Sequence, residues 1–386
     1  MLRYPEPLVG YPEEWINELI QFSNKEDIMK IEKKEVSSLL KSPELLSYYK
    51  RIEELCALPE AEALPPMPEE HFTWLYVTPK KTHEIRKLSP HVAKLYEEKT
   101  FKQVVDIGGG IGLLAQTLSN QFQLNVCSVD MDPILQETGR ERNRKNAKSP
   151  NHLVQYHNFK VEENGEFEKL LTPDSLSVGL HTCGSLALDI IRSHVKNRVR
   201  GLINFGCCYH KLDNVPGLQN LSSFAQEEGQ IWLSKFALTL SCRAHKKLSE
   251  KDYDLKQKVK FYRYAFHILL HEKYGIHEEI FLGNSHARLY KESFGTYALE
   301  QFSRIPVALK HTKEELEDFS NDPELSLLIK KMIAAGTIRN ALGRVLELYL
   351  LLDRAIYLEE QGYKVKLQTF FDEELSPRNI GIMALL

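Results

Sequence analysis

The amino-acid sequence predicts an α/β fold built on a Rossmann-like parallel sheet, and three observations lead to this prediction. A buried strand is expected at 103–107, because Val104 and Val105 are β-branched and apolar. A glycine loop follows at 108–112, where the backbone can turn tightly and approach a ligand closely. A second apolar strand ends at Asp130, about 20 residues further on, where doubly wound folds place an acidic residue.

The rest of the sheet is predicted from apolar strand-like segments that alternate with helical ones, a pattern typical of a parallel sheet covered by helices. The further strands are expected at 124–130, 153–157, 177–183 and 199–208. The helices between the strands are expected at 113–118, 133–146 and 186–195. Near the end of the chain, the patterns at 344–360, 365–371 and 379–385 predict an apolar helix followed by a β-hairpin.

Two regions outside this alternation are predicted to be helical, and they divide the chain. Residues 1–74 are expected to form an N-terminal helical region, because their apolar residues recur at helical spacing. Residues 216–344 carry helical patterns without good strand signals, so we interpret them as a large helical insertion. The sheet is then formed by residues 75–215 and completed by residues 345–386.

Composition and charge limit the classes of protein that this chain represents. Hydrophobic residues make up 42% of the 386 residues and charged residues 27%, as in globular proteins. A net charge of -3 gives no overall basic field, so a nucleic-acid partner depends on a local patch and DNA specificity is not indicated. Scattered cysteines, the lack of a signal-peptide pattern and the lack of a long apolar run predict a cytoplasmic or nuclear protein without a membrane partner.

The order of residues in the glycine loop distinguishes between a dinucleotide cofactor and a cofactor made of a nucleoside and an amino acid. The dinucleotide fingerprint would place its third glycine at Leu113, which disfavours a nicotinamide-dependent oxidoreductase. The observed order resembles motif I of class I S-adenosylmethionine-dependent methyltransferases, with Asp106, Gly108, Gly110 and Gly112 at alternate positions. We therefore expect S-adenosyl-L-methionine as cofactor, with Asp130 holding the ribose hydroxyls rather than being a solvated strand-end acid. Asp106 is expected to orient the loop or the methionine amine, and a purely structural role is the alternative.

Reactive side chains follow two further strands at the points where those strands end. His181 belongs to the end of the fourth strand, and Cys207, Cys208 and Tyr209 belong to the end of the fifth. Because ligands bind outside the carboxyl ends of parallel strands, we expect these side chains to converge on the glycine loop. The prediction places all four beside the methyl acceptor, with His181 as a general base that also borders the cofactor. A satisfied structural histidine and a packed tyrosine are the alternatives.

The cysteines also raise the question of a metal. Thiolates and imidazoles are ligands that suit zinc, and Cys183, Cys207, Cys208 and His210 lie close together in sequence or in the expected sheet. However, adjacent cysteines point in different directions along a strand, and the chain contains no Cys-x-x-Cys pair. We therefore expect small buried thiols and assign no metal ligands.

Four motifs together make the chain resemble the methyltransferase-like protein 25 family, which includes the ribosomal RNA adenine dimethylase domain-containing protein. They are Pro79-Lys-Lys-Thr-His-Glu84, the loop at 106–112, His181-Thr-Cys-Gly184 and Gly206-Cys-Cys-Tyr209. The segment at 371–379 resembles the C-terminal end of that family. The resemblance implies a class I methyltransferase that uses S-adenosylmethionine and acts on an RNA or protein acceptor.

The first of these motifs supplies charged groups ahead of the sheet. Lys80, Lys81, His83 and Glu84 are expected to bind substrate or to close over the cofactor carboxylate, and a capped helix start with exposed charge is the alternative. Two departures from related patterns motivate a second hypothesis. Ile111 stands where the family loop carries a lysine, and His181-Thr-Cys-Gly184 stands where adenine-N6 methyltransferases carry Asn/Asp-Pro-Pro-aromatic. That hypothesis is an inactive methyltransferase fold that docks a partner through its helical insertion.

Overall fold

The computed structural model describes residues 8–67, 77–146, 154–163, 165–212, 220–229, 231–242, 250–278, 280 and 282–386. The chain divides into two compact units. One consists of Met1–Leu55 and Lys247–Leu342, and the other of Cys56–Lys246 and Gly343–Leu386. The helix bounds in chain order are α1 Glu13–Leu19, α2 Lys25–Glu32, α3 Pro43–Cys56, α4 Pro79–Glu98, α5 Leu113–Phe122, α6 Pro133–Asn146, α7 Leu186–Lys196, α8 Ser223–Glu227, α9 Lys235–Ser241, α10 Glu250–Tyr274, α11 Phe294–Phe302, α12 Lys313–Asn321, α13 Pro323–Ala341 and α14 Gly343–Glu360. Within the described ranges, each helix is too short or too polar to cross a membrane.

The second unit contains a seven-stranded sheet with the strand order β3-β2-β1-β4-β5-β7-β6. The strands are β1 Gln103–Ile107, β2 Val126–Asp130, β3 Gln155–Asn158, β4 Ser175–Cys183, β5 Gly201–Cys207, β6 Lys364–Thr369 and β7 Ile380–Leu385. The first five strands run parallel, and β7 runs antiparallel to both β5 and β6. The strand order reverses at β1 and β4, so their carboxyl ends form the edge where such sheets bind ligands.

Apolar side chains on both faces of the strands explain why helices cover the sheet on both sides. Val104 and Ile203 belong to one buried cluster together with Leu118 of α5. The residues next to them in sequence, Val105 and Leu202, belong to a second buried cluster. Successive residues of a strand point to opposite faces, so the near-continuous apolar runs of β1 and β5 require cover on both sides.

The predicted α/β class I methyltransferase fold is confirmed, and the strands and helices of the sheet differ from the prediction at their ends. The first strand and the helix Pro133–Asn146 have the predicted bounds. The fifth strand ends at Cys207 instead of 208, because Cys208 has a left-handed backbone with φ +52° that ends the strand. Leu153, the first residue of the expected third strand, lies outside the described residues, and the strand itself is Gln155–Asn158.

The division into units differs from the predicted segments because of where side chains are buried. Residues 220–242, expected in the insertion, lie in the sheet unit. Leu221, Leu233 and Leu238 join the buried cluster on one face of the sheet. The backbone N–H of Leu221 also donates to the carboxylate of Asp353 on α14, at 2.8 Å. Segments with few strand signals can therefore belong to a sheet unit through helices that cover it.

The other unit combines α1–α3 with α10–α13 around an aromatic core. Tyr262, Phe266, Phe294 and Tyr297 pack against one another with ring centroids 5.2–6.2 Å apart. Glu32 of α2 forms ion pairs with Lys256 and Lys260 of α10, each at 3.1 Å. The unit therefore has a hydrophobic core of its own, as an independent domain requires.

A buried ion-pair network fixes the segment between β6 and β7 to α14. Glu347 accepts from Arg344 at 2.8 Å and from Arg378 at 2.7 Å, and all three side chains are at most 10% exposed. Arg344 also donates to Asn379 Oδ1 at 2.6 Å, and Arg378 donates to the backbone oxygen of Ser241 at 2.9 Å. Each buried charge is thus both paired and hydrogen-bonded, as burial of charge requires.

Candidate active site at the carboxyl edge of the sheet

The glycine loop between β1 and α5 has a backbone that ordinary residues rarely adopt. Gly108, Gly110 and Gly112 have φ values of +70°, +60° and +70°, in the left-handed region. A Cβ added at Gly108 or Gly110 would make only ordinary van der Waals contact, with its nearest neighbour 3.6 Å or 3.9 Å away. A Cβ at Gly112 would lie 2.8 Å from the ring of Tyr156. Gly112 therefore allows close packing inside the fold, whereas Gly108 is exposed and Gly110 is half-buried.

Asp130 at the end of β2 lies directly beside this loop. One of its carboxylate oxygens accepts from the backbone N–H of Gly110 at 2.8 Å, and the other accepts from that of Asp132 at 3.0 Å. Gln136 of α6 donates to the carbonyl oxygen of Gly110 at 2.8 Å, so the loop is held from both sides. Each carboxylate oxygen can accept a further hydrogen bond, which leaves Asp130 able to receive hydroxyl donors.

Asp106 at the end of β1 is buried beneath the loop. Its side chain is 2% exposed, and its Oδ2 has no hydrogen-bond partner among the described residues. Burial raises the pKa of Asp106 to about 6, against the opposing charge of Lys81 on α4. A Cβ at Gly109 would lie 2.7 Å from that same Oδ2, which explains a glycine here that the alternating pattern did not single out.

The raised pKa of Asp106 makes stability depend on pH in a direction that can be measured. The unfolded carboxyl group releases its proton near pH 3.8 and the native one near pH 6, so stability falls as the pH rises through that interval and stays lower above it. Asp106→Asn is expected to raise the free energy of unfolding by up to about 3 kcal/mol at about pH 7.5 and to change it little near pH 4. Urea denaturation at both pH values measures this, and an equal gain at both would attribute the effect to packing instead.

A histidine–carboxylate pair lies at the end of β4. His181 Nε2 is 2.8 Å from Glu84 Oε1, with the histidine side chain 23% exposed and the glutamate fully buried. The register between β4 and β5 shifts between Leu180 and Thr182, and His181 has a φ of +69°. This bulge at His181 turns its side chain toward α4, a known use of bulges beside functional sites.

Glu84 is held in its ionised form by several donors. Burial alone would raise its pKa, but hydrogen bonds from His181 and Ser376, together with the charge of Lys80, hold the pKa below its ordinary value. Ser376 Oγ donates at 2.6 Å, and Lys80 Nζ lies 3.6 Å from the same oxygen, Oε1. Glu84 therefore accepts the Nε2–H of His181 and leaves Nδ1 as the basic nitrogen of the ring.

Three thiols meet where β4 and β5 end. The sulfur atoms of Cys183, Cys207 and Cys208 lie within 4.8 Å of one another, and those of Cys183 and Cys207 are 3.1 Å apart. The hydrogen bond from Cys207 lowers the pKa of Cys183 to about 5 although burial opposes it, and the same contact raises the pKa of Cys207. The expectation that adjacent cysteines point apart does not hold, because the left-handed backbone of Cys208 lies beyond the end of the strand.

Tyr209 does not reach the open side of the site. Its side chain is 3% exposed, and its hydroxyl donates to the carbonyl oxygen of Gly206 at 3.2 Å. Burial raises its pKa well above the ordinary value. In this structure Tyr209 packs in the core, as in the alternative interpretation, and is not available to stack on an acceptor base.

The structure thus brings most of the sequence-predicted residues to one edge of the sheet. Glu84, with Lys80 beside it, joins His181, and the charge of Lys81 acts on the buried Asp106. The sequence argument missed Ser376, whose hydroxyl lies on Glu84 although the two residues are 292 positions apart. It also missed Gln136, which is buried and gave no signal beyond its place in the basic helix predicted at 133–146.

Comparison with known proteins finds a matching family model and similar proteins. Residues 80–215 match a family model described as a methyltransferase domain. The chain is 27% identical over 230 residues to probable methyltransferase-like protein 25 of Mus musculus and 26% identical over 229 residues to that of Homo sapiens. Each match covers 55% of this chain but only 37% of the relative.

One solved structure with a bound cofactor product is also similar. Coclaurine N-methyltransferase, bound to N-methylheliamine and SAH, is 14% identical, and the match covers 52% of this chain and 63% of that one. Its TM-score of 0.24 is too low to support a conclusion about this site.

Proposed function

We propose that this chain, which is related to the methyltransferase-like protein 25 family and contains a methyltransferase domain at residues 80–215, transfers a methyl group from S-adenosylmethionine to a protein or RNA acceptor. The observation that carries the proposal is the placement of Asp130 against the backbone N–H of Gly110, 2.8 Å away, in a glycine loop whose Gly108 is exposed. The His181–Glu84 pair at the end of β4 supplies a base at the same edge of the sheet.

The residues of the loop fit the proposed cofactor. Asp130 retains lone pairs for the ribose hydroxyls, and the exposed Gly108 has no side chain to prevent close approach of a ligand to the backbone. Asp106 Oδ2, buried and without a partner among the described residues, suits the ammonium group of the methionine part. Lys81, whose charge acts on Asp106, suits the methionine carboxylate.

The chemistry divides between cofactor and protein. When bound, S-adenosylmethionine supplies an electrophilic methyl group on a sulfonium ion. The protein has to hold the acceptor in line with that group and to remove one proton from it. His181 takes this proton on Nδ1, because Nε2 is held by Glu84, and the ionised Glu84 stabilises the imidazolium that forms. Glu84 is thus a positioning residue, and His181 is the proposed catalytic base.

A protein acceptor is favoured over RNA by the position of Tyr209. Recognition of an unstacked RNA base usually depends on an aromatic side chain that stacks on it. The one aromatic residue that the sequence placed at the acceptor is buried in the core. The net charge of -3 also gives no overall attraction to phosphate.

The proposal is tested by incubating the purified full chain with S-adenosylmethionine labelled in its methyl group and a cell lysate. The lysate is first freed of small molecules and divided into a ribonuclease-treated half and a protease-treated half. We expect labelled macromolecules in the ribonuclease-treated half and loss of label in the protease-treated half. The opposite pattern would identify RNA as the acceptor, and no transfer in either half by a chain that binds the cofactor would favour the inactive binding module.

A further inference from the structure

The three thiols at the ends of β4 and β5 form a cluster whose geometry suits a metal ion. Their sulfur atoms all lie within 4.8 Å of one another. A Zn–S bond of about 2.3 Å in tetrahedral geometry places two thiolate sulfurs about 3.8 Å apart. Small side-chain rotations would therefore let one ion contact all three sulfur atoms. The Cys183–Cys207 distance of 3.1 Å is well beyond a disulfide bond of about 2.05 Å, so both sulfurs are available as ligands.

The backbone around the cluster holds the three side chains on one side. Cys183 pairs with Cys207 across β4 and β5, so strand register alone brings two of the sulfurs together. Cys208 follows with φ +52°, a conformation that a β-strand does not use and that directs its side chain to the same point. A left-handed backbone is unfavourable for a non-glycine residue, and such strain concentrates at functional sites.

We propose that Cys183, Cys207 and Cys208 bind Zn²⁺ or a similar soft divalent cation as three thiolates. Lys211 lies beside Gly184, and its positive charge offsets part of the excess negative charge of three thiolates around one divalent ion. Metal binding displaces one proton from each thiol that is protonated beforehand, so charge and atoms balance without an oxidant. The site lies beside the proposed acceptor region but does not depend on methyl transfer.

The test uses the reduced full chain, freed of metal with a chelator and titrated with Co²⁺ as a spectroscopic substitute for Zn²⁺. Thiolate ligation produces a charge-transfer band in the near ultraviolet, and we expect it to saturate at one Co²⁺ per chain and to disappear when Zn²⁺ is added. Cys183→Ser, Cys207→Ser and Cys208→Ser are each expected to lose the band. Cys56→Ser, outside the cluster, is the matched control and is expected to retain it.

A second measurement keeps the proposal testable if the serine variants fail to fold. The unmodified chain has six cysteines, and Zn²⁺ is expected to protect three of them from alkylation under native conditions, identified by mass spectrometry as Cys183, Cys207 and Cys208. Absence of the Co²⁺ band from the folded, reduced chain would overturn the proposal. Protection of a different set of cysteines would overturn it as well, and neither result would affect the proposed methyl transfer.

Discussion

Replacement of His181 by asparagine is expected to lower the rate of methyl transfer by about 10²- to 10⁴-fold, the usual contribution of a positioned general base. Asparagine is chosen because it tolerates the left-handed backbone that His181 adopts, with φ +69°. The cofactor is expected to bind with unchanged affinity, because His181 is assigned to the acceptor proton and not to the ribose or methionine groups. Single-turnover transfer of labelled methyl groups measures the rate, and calorimetry measures the affinity.

Two further variants separate a catalytic role from a structural one. Glu84→Gln removes the negative charge beside His181 Nε2 while keeping its shape, and is expected to move the acid limb of the pH–rate profile to lower pH. His91→Gln, on the same helix as Glu84 but beside Phe370, is expected to leave the profile unchanged. A rate in His181→Asn within about twofold of the unmodified chain would rule out His181 as the base.

Replacement of Glu347 by alanine is expected to destabilise the sheet unit by about 3–5 kcal/mol, the usual cost of removing one partner of a buried ion pair. Its carboxylate is 1% exposed and pairs with both Arg344 and Arg378, so Glu347→Ala leaves two guanidinium groups buried with fewer partners. The segment between β6 and β7 also carries Ser376, which donates to Glu84 at 2.6 Å. Loss of stability is therefore expected to extend to the proposed active site.

Urea denaturation of the full chain measures this effect as a change in the free energy of unfolding. Glu359→Ala is the matched control, because Glu359 is exposed on the same helix, and it is expected to change the free energy by no more than about 0.5 kcal/mol. A cost below about 1 kcal/mol for Glu347→Ala would mean that the two arginines find other partners and that the network contributes little to stability.

The fold was predictable from the sequence because its signals are local. The β-branched pair Val104–Val105, the glycine loop and a strand ending at Asp130 all lie between residues 104 and 130. The helix α14 and the hairpin that follows it also carry clear periodicity. The division into units was harder to predict, because burial of Leu221 and Leu238 against the sheet depends on contacts distant in sequence.

The site was only partly predictable, for reasons that can be stated residue by residue. The convergence of His181 and Glu84 follows from a bulge in β4, which leaves no pattern in the sequence. Tyr209 follows the thiols in the chain, yet the backbone turn at Cys208 directs it into the core. The same turn brings the three sulfurs together, although alternation along an ideal strand would separate neighbours.

The most direct test of the account is calorimetric titration of the full chain with S-adenosylhomocysteine, the product form of the proposed cofactor, beside the variants Asp130→Ala and Asp174→Ala. Asp174 is an acid at the opposite edge of the sheet, paired with Lys102 and Arg200, so its removal is a matched control. We expect saturable binding at one site per chain that Asp174→Ala retains and Asp130→Ala loses. A folded chain that binds no S-adenosylhomocysteine, or an Asp130→Ala variant that binds it as tightly as the unmodified chain, would contradict the proposed cofactor site.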